Sequence, residues 1–267
     1  MDEVEALVFD VFGTVVDWRS SVAAELQALG KEHGVSSDTD WVKFVNQWRM
    51  GYITNTSVVP LVGSFGGIFF SNLSRRIAEG GSGPLNVDVL HKETLEGMLD
   101  SPEWSHVGRA WDAQVRESIN LAWHRLNGWP DTVEGLQALK RLKIISTLSN
   151  GNVRLLVDMA KHAKLPWDMI FSTELFGTFK PSPKAYLSAC HHLSLPPAKC
   201  AMVAAHIYDL RAAAAQGMRT IYVRRPNEDE EALSTMGGIV KSKADGGEFD
   251  IVVDSFIELA EILGKSK

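Results

Sequence analysis

The chain has 267 residues and a formal net charge of −6, and both values exclude some classes of protein. The length suits one large α/β domain, or a core with a smaller lobe. The acidic balance argues against nucleic acid as a general partner, and no apolar run is long enough to span a membrane.

Two features of the sequence predict a cytoplasmic protein. The start of the chain, Met1-Asp2-Glu3, is acidic and lacks the charge pattern of a signal peptide. Cys190 and Cys200 are too few for a disulfide scaffold, so we interpret them as reduced, partly buried thiols.

The first predicted element is a strand over residues 6–9, whose unbroken apolar character is typical of a strand buried on both faces. Asp10 follows at its carboxyl end, and Gly13 then breaks the pattern. Open α/β sheets bind their ligands at the carboxyl ends of their strands. Asp10 is therefore a candidate functional carboxylate, with the cap of a turn or helix as the alternative.

Helix-like patterns dominate the next hundred residues. Apolar residues at helical spacing predict one helix over 17–33 and another over about 40–52, and no strong strand pattern returns until Lys143. Residues 60–84 are irregular, because several glycines break any helix there. The sequence thus predicts a mostly helical segment, residues 18–125, inserted after the first strand.

Strands and helices alternate from residue 126 onward, which predicts a parallel sheet with helices on both faces. The predicted fold class is therefore α/β, a Rossmann-like doubly wound core formed by residues 1–17 and 126–267. We interpret the polar residues 227–248 as a long surface excursion. The further strands are predicted near residues 143–148, 169–172, 201–205, 220–223 and 251–253.

Two loops after the later elements carry candidate site residues. Ser149 and Asn150 end the second core strand, where they serve either as the N-cap of the next helix or as an anion site. Ser182 and Pro183 are typical of a helix start, which leaves Lys180 unexplained. A lysine close to Asp10 would keep that carboxylate ionised.

The run Asp10–Asp17, Asp-Val-Phe-Gly-Thr-Val-Val-Asp, resembles the first motif of the haloacid dehalogenase superfamily. The resemblance implies that Asp10 is a covalent nucleophile. Phosphatases of this superfamily carry a second aspartate two positions later, which protonates the leaving group. Phe12 stands there instead and cannot give a proton, whereas a leaving halide needs none. The sequence therefore resembles the 2-haloacid dehalogenase branch, with Phe12 among the residues expected at the substrate.

The same resemblance assigns roles to residues of the later loops. Ser149 and Asn150 match the pair that contacts the substrate carboxylate and the leaving halide. Lys180 matches the lysine of the superfamily. Tyr186 matches a tyrosine of the dehalogenase branch, with a half-buried helix aromatic as the alternative.

The end of the fourth core strand resembles the dehalogenase pattern Ser-Ser-Asn-X-X-Asp over residues 204–209. Alanines replace both serines, and His206 replaces the asparagine. Asp209 keeps its place, where the family's aspartate positions the lysine and the hydrolytic water, although the N-cap of a helix over 210–216 is the alternative. His206 is expected to supply a hydrogen bond or to act as a base near neutral pH. Magnesium-binding phosphatases place acidic ligands here, so we expect no metal.

The inserted segment resembles the helical cap of the superfamily, which holds an arginine for the leaving halide. Arg49 is the candidate, because it lies in a predicted cap helix beside Trp48, with Tyr52 one turn on. An arginine can also bind a carboxylate with two hydrogen bonds. Arg19 is its rival, and an ordinary surface arginine is the alternative. Five aromatic residues are expected either to line an apolar pocket or only to pack in the core: Trp48, Phe65, Phe69, Phe70 and Trp129.

The resemblance implies hydrolytic dehalogenation of small 2-haloalkanoic acids, without metal or organic cofactor. Asp10 would displace the halide in line, and water polarised by Asp209 would hydrolyse the ester, with Thr14 as a donor to the oxyanion. The expected partner is a small haloacid, with a homodimer as a further expectation and neither nucleic acid nor membrane. The alternatives are a phosphatase using Asp10 and a non-catalytic binding protein.

Overall fold

A computed structural model of the chain describes residues 1, 3–56, 86–235 and 237–265. Contacts within the chain divide it into two units, one formed by Met1–Asp17 with Leu126–Lys267 and the other by Trp18–Arg125. Within the described ranges, no helix combines the length and apolar character that crossing a membrane requires.

Strands and helices of the described residues are numbered here in chain order. The strands are β1 (Ala6–Phe9), β2 (Val16–Asp17), β3 (Asn127–Gly128), β4 (Ile144–Ser149), β5 (Met169–Ser172), β6 (Cys200–Ala204), β7 (Arg219–Val223) and β8 (Ile251–Val253). The helices are α1 (Trp18–Glu32), α2 (Trp41–Thr56), α3 (Val87–Leu99), α4 (Ser105–Ala110), α5 (Ala113–Asn120), α6 (Thr132–Lys140), α7 (Val153–His162), α8 (Pro183–His192), α9 (Ile207–Ala214), α10 (Glu230–Thr235) and α11 (Phe256–Lys265).

Six parallel strands form the sheet of the first unit, in the order β5-β4-β1-β6-β7-β8. The predicted α/β class is thereby confirmed. Every residue of β1 is buried, as its apolar sequence requires. The chain runs from β1 outward through β4 and β5, and then continues through β6, β7 and β8 on the other side. The strand order therefore reverses at β1, and a ligand crevice is expected at its carboxyl end.

Three details of this unit differ from the predictions. β2 and β3 form a two-stranded antiparallel ribbon that the sequence did not reveal, because two residues are too few for a periodic pattern. Residues 227–248 are not simply a surface excursion, since they contain α10 and bury Glu228 and Val240. Helix α9 begins at Ile207 with His206 at its N-cap position, so Asp209 lies in the first turn and is not the N-cap.

Aromatic packing forms the core of the second unit. Trp41 stacks on Trp111 with ring centroids 5.6 Å apart, and Trp48 meets Trp123 edge-on at 5.3 Å. The Trp48 side chain is fully buried and its indole N–H donates to the His91 carbonyl, so its role here is packing. The side chain of Tyr52, the residues Phe65, Phe69 and Phe70, and the irregular stretch 60–84 lie outside the described residues.

Gly135 allows helix α6 to pack directly against the start of α11. A Cβ at this position would lie 2.4 Å from the Cβ of Phe256 and 2.9 Å from the backbone nitrogen of Ile257. We expect Gly135→Ala to lower the free energy of unfolding by about 1–3 kcal/mol, because the backbone of α11 must move to relieve the clash.

Chemical denaturation of the variant and of Gly264→Ala checks this prediction. Gly264 is in α11 as well, but apart from its chain neighbours and the backbone of its own helix, no described atom lies within 4 Å of a Cβ placed there. The control is expected to leave the free energy of unfolding unchanged or to raise it by up to about 1 kcal/mol, because alanine favours a helix more than glycine. Equal stabilities of the two variants would contradict the packing argument.

Candidate active site

Asp10 lies at the carboxyl end of β1, where the strand order reverses. Its backbone N–H donates to the Val203 carbonyl at 3.0 Å, which fixes the residue between β1 and β6. Its side chain is almost fully buried, and three donors surround the carboxylate. Oδ1 accepts from Lys180 Nζ at 2.7 Å, while Oδ2 lies 2.7 Å from Thr14 Oγ1 and 3.0 Å from His206 Nδ1.

The turn after β1 aims the Thr14 hydroxyl at this carboxylate. Gly13 makes the turn possible with a φ of +80°, a value that L side chains rarely adopt. Thr14 Oγ1 accepts from the Ala205 backbone N–H at 2.9 Å, so its own hydrogen is left to donate to Asp10. The hydroxyl is therefore fixed in both position and direction.

Lys180 lies between two carboxylates. Its ammonium is 2.7 Å from Asp10 Oδ1 and 2.5 Å from Asp209 Oδ2, and its side chain is 4% exposed. Tyr186 donates its hydroxyl to Asp209 Oδ1 at 2.6 Å. Together with Thr14 and His206 at Asp10, the structure thus brings six of the predicted site residues into one hydrogen-bonded group.

Asn150 holds the backbone of Lys180. Its Oδ1 accepts from the Lys180 N–H at 2.7 Å and from the Thr173 hydroxyl at 3.2 Å, and its Nδ2 donates to the Lys180 carbonyl at 3.3 Å. It is not the N-cap of α7, since Asn152 occupies that position. The Asn150 amide therefore positions the loop that carries Lys180.

Ser149 and Phe12 are both buried at the same end of the sheet. Ser149 Oγ accepts from the Gly151 backbone N–H at 3.1 Å. A Cβ placed on Gly151 would lie 3.2 Å from the Phe12 ring, so the ring packs closely over that loop. Phe12 thus supplies an apolar surface in the loop that also carries Asp10 and Thr14.

His206 lies between two carboxylates, of which the sequence predicted one. Nδ1 faces Asp10 Oδ2 and Nε2 faces Glu228 Oε2, each at 3.0 Å. Burial alone would lower the pKa of His206, but the hydrogen bonds and charges of Asp10 and Glu228 raise it to about 10. The hydrogen-bond role expected of His206 fits this environment, whereas a base at neutral pH would have to be uncharged.

The same charges set the protonation of the neighbouring groups. Burial would raise the pKa of Asp10, but the charge of Lys180 and the hydrogen bond from His206 outweigh it and hold that pKa well below its usual range. Burial and the Asp10 charge raise the pKa of Asp209, against the opposing charge of Lys180. Burial lowers the pKa of Lys180, but the charges of Asp10 and Asp209 exceed that effect and raise it. Asp10 is thus ionised and Lys180 charged at neutral pH.

Two further residues support the Asp10 loop: Arg225, which the sequence did not reveal, and Trp129, which it predicted as an aromatic that lines a pocket or only packs. Arg225 donates from Nε to the Thr14 carbonyl at 2.9 Å and binds Asp131 through both terminal nitrogens, at 2.6 and 3.0 Å. Trp129 donates its indole N–H to the Gly13 carbonyl at 2.9 Å, so it supports the turn. The signal available for Arg225 was its place just beyond the carboxyl end of a core strand.

Both candidate arginines lie on the helical unit. The guanidinium carbon of Arg49 is 5.7 Å from the ring centroid of Trp18 and 5.9 Å from that of Trp123, within cation–π range of both rings. Arg19 lies 4.8 Å from the Trp18 ring and donates to Asn46 Oδ1 at 2.9 Å. The two arginines therefore share one tryptophan.

Comparisons with known proteins point to one family. The family model described as haloacid dehalogenase-like hydrolase matches residues 4–217. A solved L-2-haloacid dehalogenase is 35% identical with a TM-score of 0.75, covering 97% of this chain and 99% of that one. A solved defluorinating L-2-haloacid dehalogenase is 34% identical with a TM-score of 0.77, covering 98% and 95%. (S)-2-haloacid dehalogenase 1 of Pseudomonas sp. (strain CBS-3) is 25% identical over 234 residues, 86% of this chain and 89% of that protein.

The chain therefore belongs to the haloacid dehalogenase-like hydrolase family. The family had been predicted from the Asp10 motif, and that prediction is confirmed.

His206 gives the folded protein a dependence on pH with a defined sign. The folded state keeps the ring protonated to about pH 10, whereas an unfolded chain releases that proton near pH 6.5. Between these values the folded state binds more protons, so the stabilisation from His206 is complete below about pH 6.5 and is lost as the pH rises toward about 10.

We expect the free energy of unfolding to fall more steeply over this range in the wild type than in His206→Asn. Denaturation at a series of pH values measures the slope. The control is His191→Asn at an exposed position, which should retain the wild-type slope. Parallel curves for wild type and His206→Asn would show that His206 is not charged in the folded state.

Proposed function

We propose that this protein is a hydrolytic 2-haloacid dehalogenase, which converts small 2-haloalkanoic acids to 2-hydroxy acids through an ester on Asp10. The observation that supports it best is the buried, ionised Asp10 carboxylate, held by Lys180, Thr14 and His206 at the reversal point of the sheet. The dehalogenases among its relatives cover nearly the full chain.

The first step is an in-line displacement by Asp10. Oδ1 attacks the carbon that carries the halogen, the new carbon–oxygen bond forms as the carbon–halogen bond breaks, and halide leaves with the bonding electrons. A carboxylate has to be ionised to act in this way. Lys180 and His206 keep Asp10 ionised, because they hold its pKa well below the usual range.

The second step hydrolyses the ester at the Asp10 carbonyl carbon. Water adds there and gives one proton to Asp209, whose raised pKa suits a base. The tetrahedral intermediate then expels the hydroxy acid, whose hydroxyl oxygen comes from Asp10. One proton of the water ends on the product and the other is released to solvent. Tyr186 and Lys180 hold Asp209 in place for this role.

A phosphatase fits the same loops less well. Phe12 has no proton to give to an alkoxide leaving group. A magnesium site would need acidic oxygens beside Asp10 Oδ2. The imidazole of His206 occupies that position instead. Dehalogenation is the chemistry that needs neither group.

Labelled water tests the ester directly. With enzyme in excess over 2-chloropropionate in oxygen-18 water, we expect one labelled oxygen in the peptide containing Asp10 and none in the product hydroxyl. Mass spectrometry of both species measures this. Label in the product alone would mean that water attacked the substrate directly and would end the ester mechanism.

Two controls accompany that experiment. Asp10→Asn keeps the size of the side chain and should release no halide, with its fold checked by circular dichroism. Halide release by the wild type should be unchanged by EDTA, whereas EDTA-sensitive release of phosphate from an aryl phosphate would favour the phosphatase.

Arg49 is part of the proposal as the residue that binds the substrate carboxylate or the leaving halide. We expect Arg49→Met to lower kcat/KM by about 10- to 100-fold, the value of a hydrogen bond to a charged group. Arg19→Met is the matched variant, since Arg19 lies against the same Trp18 ring. Steady-state halide release compares the two, and a larger loss in Arg19→Met would transfer the role to Arg19.

The proposal includes a cytoplasmic location. Its support is that Cys190 and Cys200 are both buried and neither forms a disulfide.

A further inference from the structure

Glu228 is the buried acid of this site that the mechanism above leaves without a role. Its carboxylate lies 3.0 Å from His206 Nε2, while His206 Nδ1 lies 3.0 Å from Asp10 Oδ2. An ionised carboxylate only accepts hydrogen bonds, and a neutral imidazole has a single N–H. Only the imidazolium form donates to both carboxylates at once.

The protein packs Glu228 in this place tightly. A Cβ on Gly13 would lie 2.6 Å from Glu228 Cδ, so the carboxylate occupies the space that a side chain at 13 would need. The adjacent Asp229 accepts from the Ile207 backbone N–H at 2.5 Å and thereby ties this loop to the start of α9. The Gly13 turn and the hydrogen bond between Asp229 and Ile207 therefore hold Glu228 in its place beside His206.

We infer that Glu228 is a positioning residue that keeps His206 an imidazolium, and that this cation and Thr14 together stabilise the oxyanion on Asp10 Oδ2 during ester hydrolysis. The inference rests on the proposed function and deepens its second step.

The two Asp10 oxygens have different surroundings, which assigns their roles. Oδ1 faces Lys180 and is the oxygen that attacks and becomes the ester oxygen. Oδ2 has two donors, Thr14 Oγ1 at 2.7 Å and His206 Nδ1 at 3.0 Å, so it remains the carbonyl oxygen. When water adds to the carbonyl carbon, the electron pair of the C=O bond moves onto Oδ2. The pair returns as the bond from the carbonyl carbon to Oδ1 breaks and the product leaves. Hydrogen-bond donors that are already in place where an oxyanion develops stabilise the transition state effectively.

Glu228 matters because esterification removes the negative charge of Asp10. In that intermediate His206 would lose the charge of one of the two carboxylates that contact its ring in the described part of the chain, and Glu228 would remain. Asp229, from the loop that carries Glu228, also interacts with the ring through its charge, and the ring centroid of Tyr208 of α9 is 5.7 Å from that of His206. Glu228 thus maintains the charge on the donor at the moment the oxyanion forms.

The test separates ester formation from ester hydrolysis in Glu228→Gln. In single turnovers of bromoacetate followed by rapid quench, we expect halide release at the wild-type rate and then ester hydrolysis that is about tenfold slower at pH 8, because a charged donor becomes a neutral one. The basic limb of the hydrolysis rate should move down by about 1–3 pH units, the usual effect of removing a neighbouring opposite charge. Glu230→Gln, exposed and two residues away, should behave as the wild type.

A variant that already lacks the His206 ring shows whether Glu228 acts through that ring. His206→Asn removes the titrating ring, so adding Glu228→Gln to it should change the hydrolysis rate by less than about twofold. An undiminished effect in that background would overturn the inference, as would a wild-type pH profile in Glu228→Gln.

Nitrogen-15 NMR of the wild-type His206 ring gives an answer that needs no substitution at 228. Both ring nitrogens should carry protons at pH 8, and a neutral ring would overturn the inference.

The outcomes of these experiments also separate the proposed function from the inference about Glu228. A wild type that releases no halide from bromoacetate defeats the proposed function and this inference with it. Normal halide release with ester hydrolysis unaffected by Glu228→Gln defeats this inference alone.

Discussion

The buried contact of one lysine with two carboxylates is the interaction on which the site depends. Removing three charged groups from water is costly, and they are stable together only when each charge is paired and hydrogen-bonded. Lys180 meets that condition for Asp10 and Asp209, with Tyr186 and Asn150 completing the arrangement. The strand ends can bring their carboxylates together because this ammonium lies between them.

The same charges place two opposing demands on Asp10. Donors that hold it ionised also stabilise it as an anion, and an anion stabilised in the ground state is a weaker nucleophile unless the transition state is stabilised more. Among the described residues, this group joins three carboxyl side chains, Asp10, Asp209 and Glu228, to two basic ones, Lys180 and His206. A substrate carboxylate would add a fourth acidic group. A further basic side chain at the substrate would offset it, which is the physical reason for proposing an arginine in that role.

The sequence predicted the parts of this site that lie directly after strands with clear patterns. Asp10 and Asp209 follow buried apolar runs, and Lys180 precedes a recognisable helix start. Glu228 was missed because the residues after β7 are polar, and composition alone does not distinguish a solvated acid from a buried one. The β2–β3 ribbon was missed because its strands have two residues each. The position of β7 beside β6 in a parallel sheet was the signal for Glu228, since the carboxyl ends of all six strands point to one edge.

The packing of Glu228 against Gly13 links two positions that are far apart in the chain. A larger residue at 13 would displace the acid, and a smaller residue at 228 would leave a polar cavity that needs water to fill it. The glycine that the turn already requires, with its φ of +80°, therefore also leaves the space that the acid occupies. A substitution at position 13 is consequently expected to disturb two things together, the turn that aims Thr14 and the acid that contacts His206.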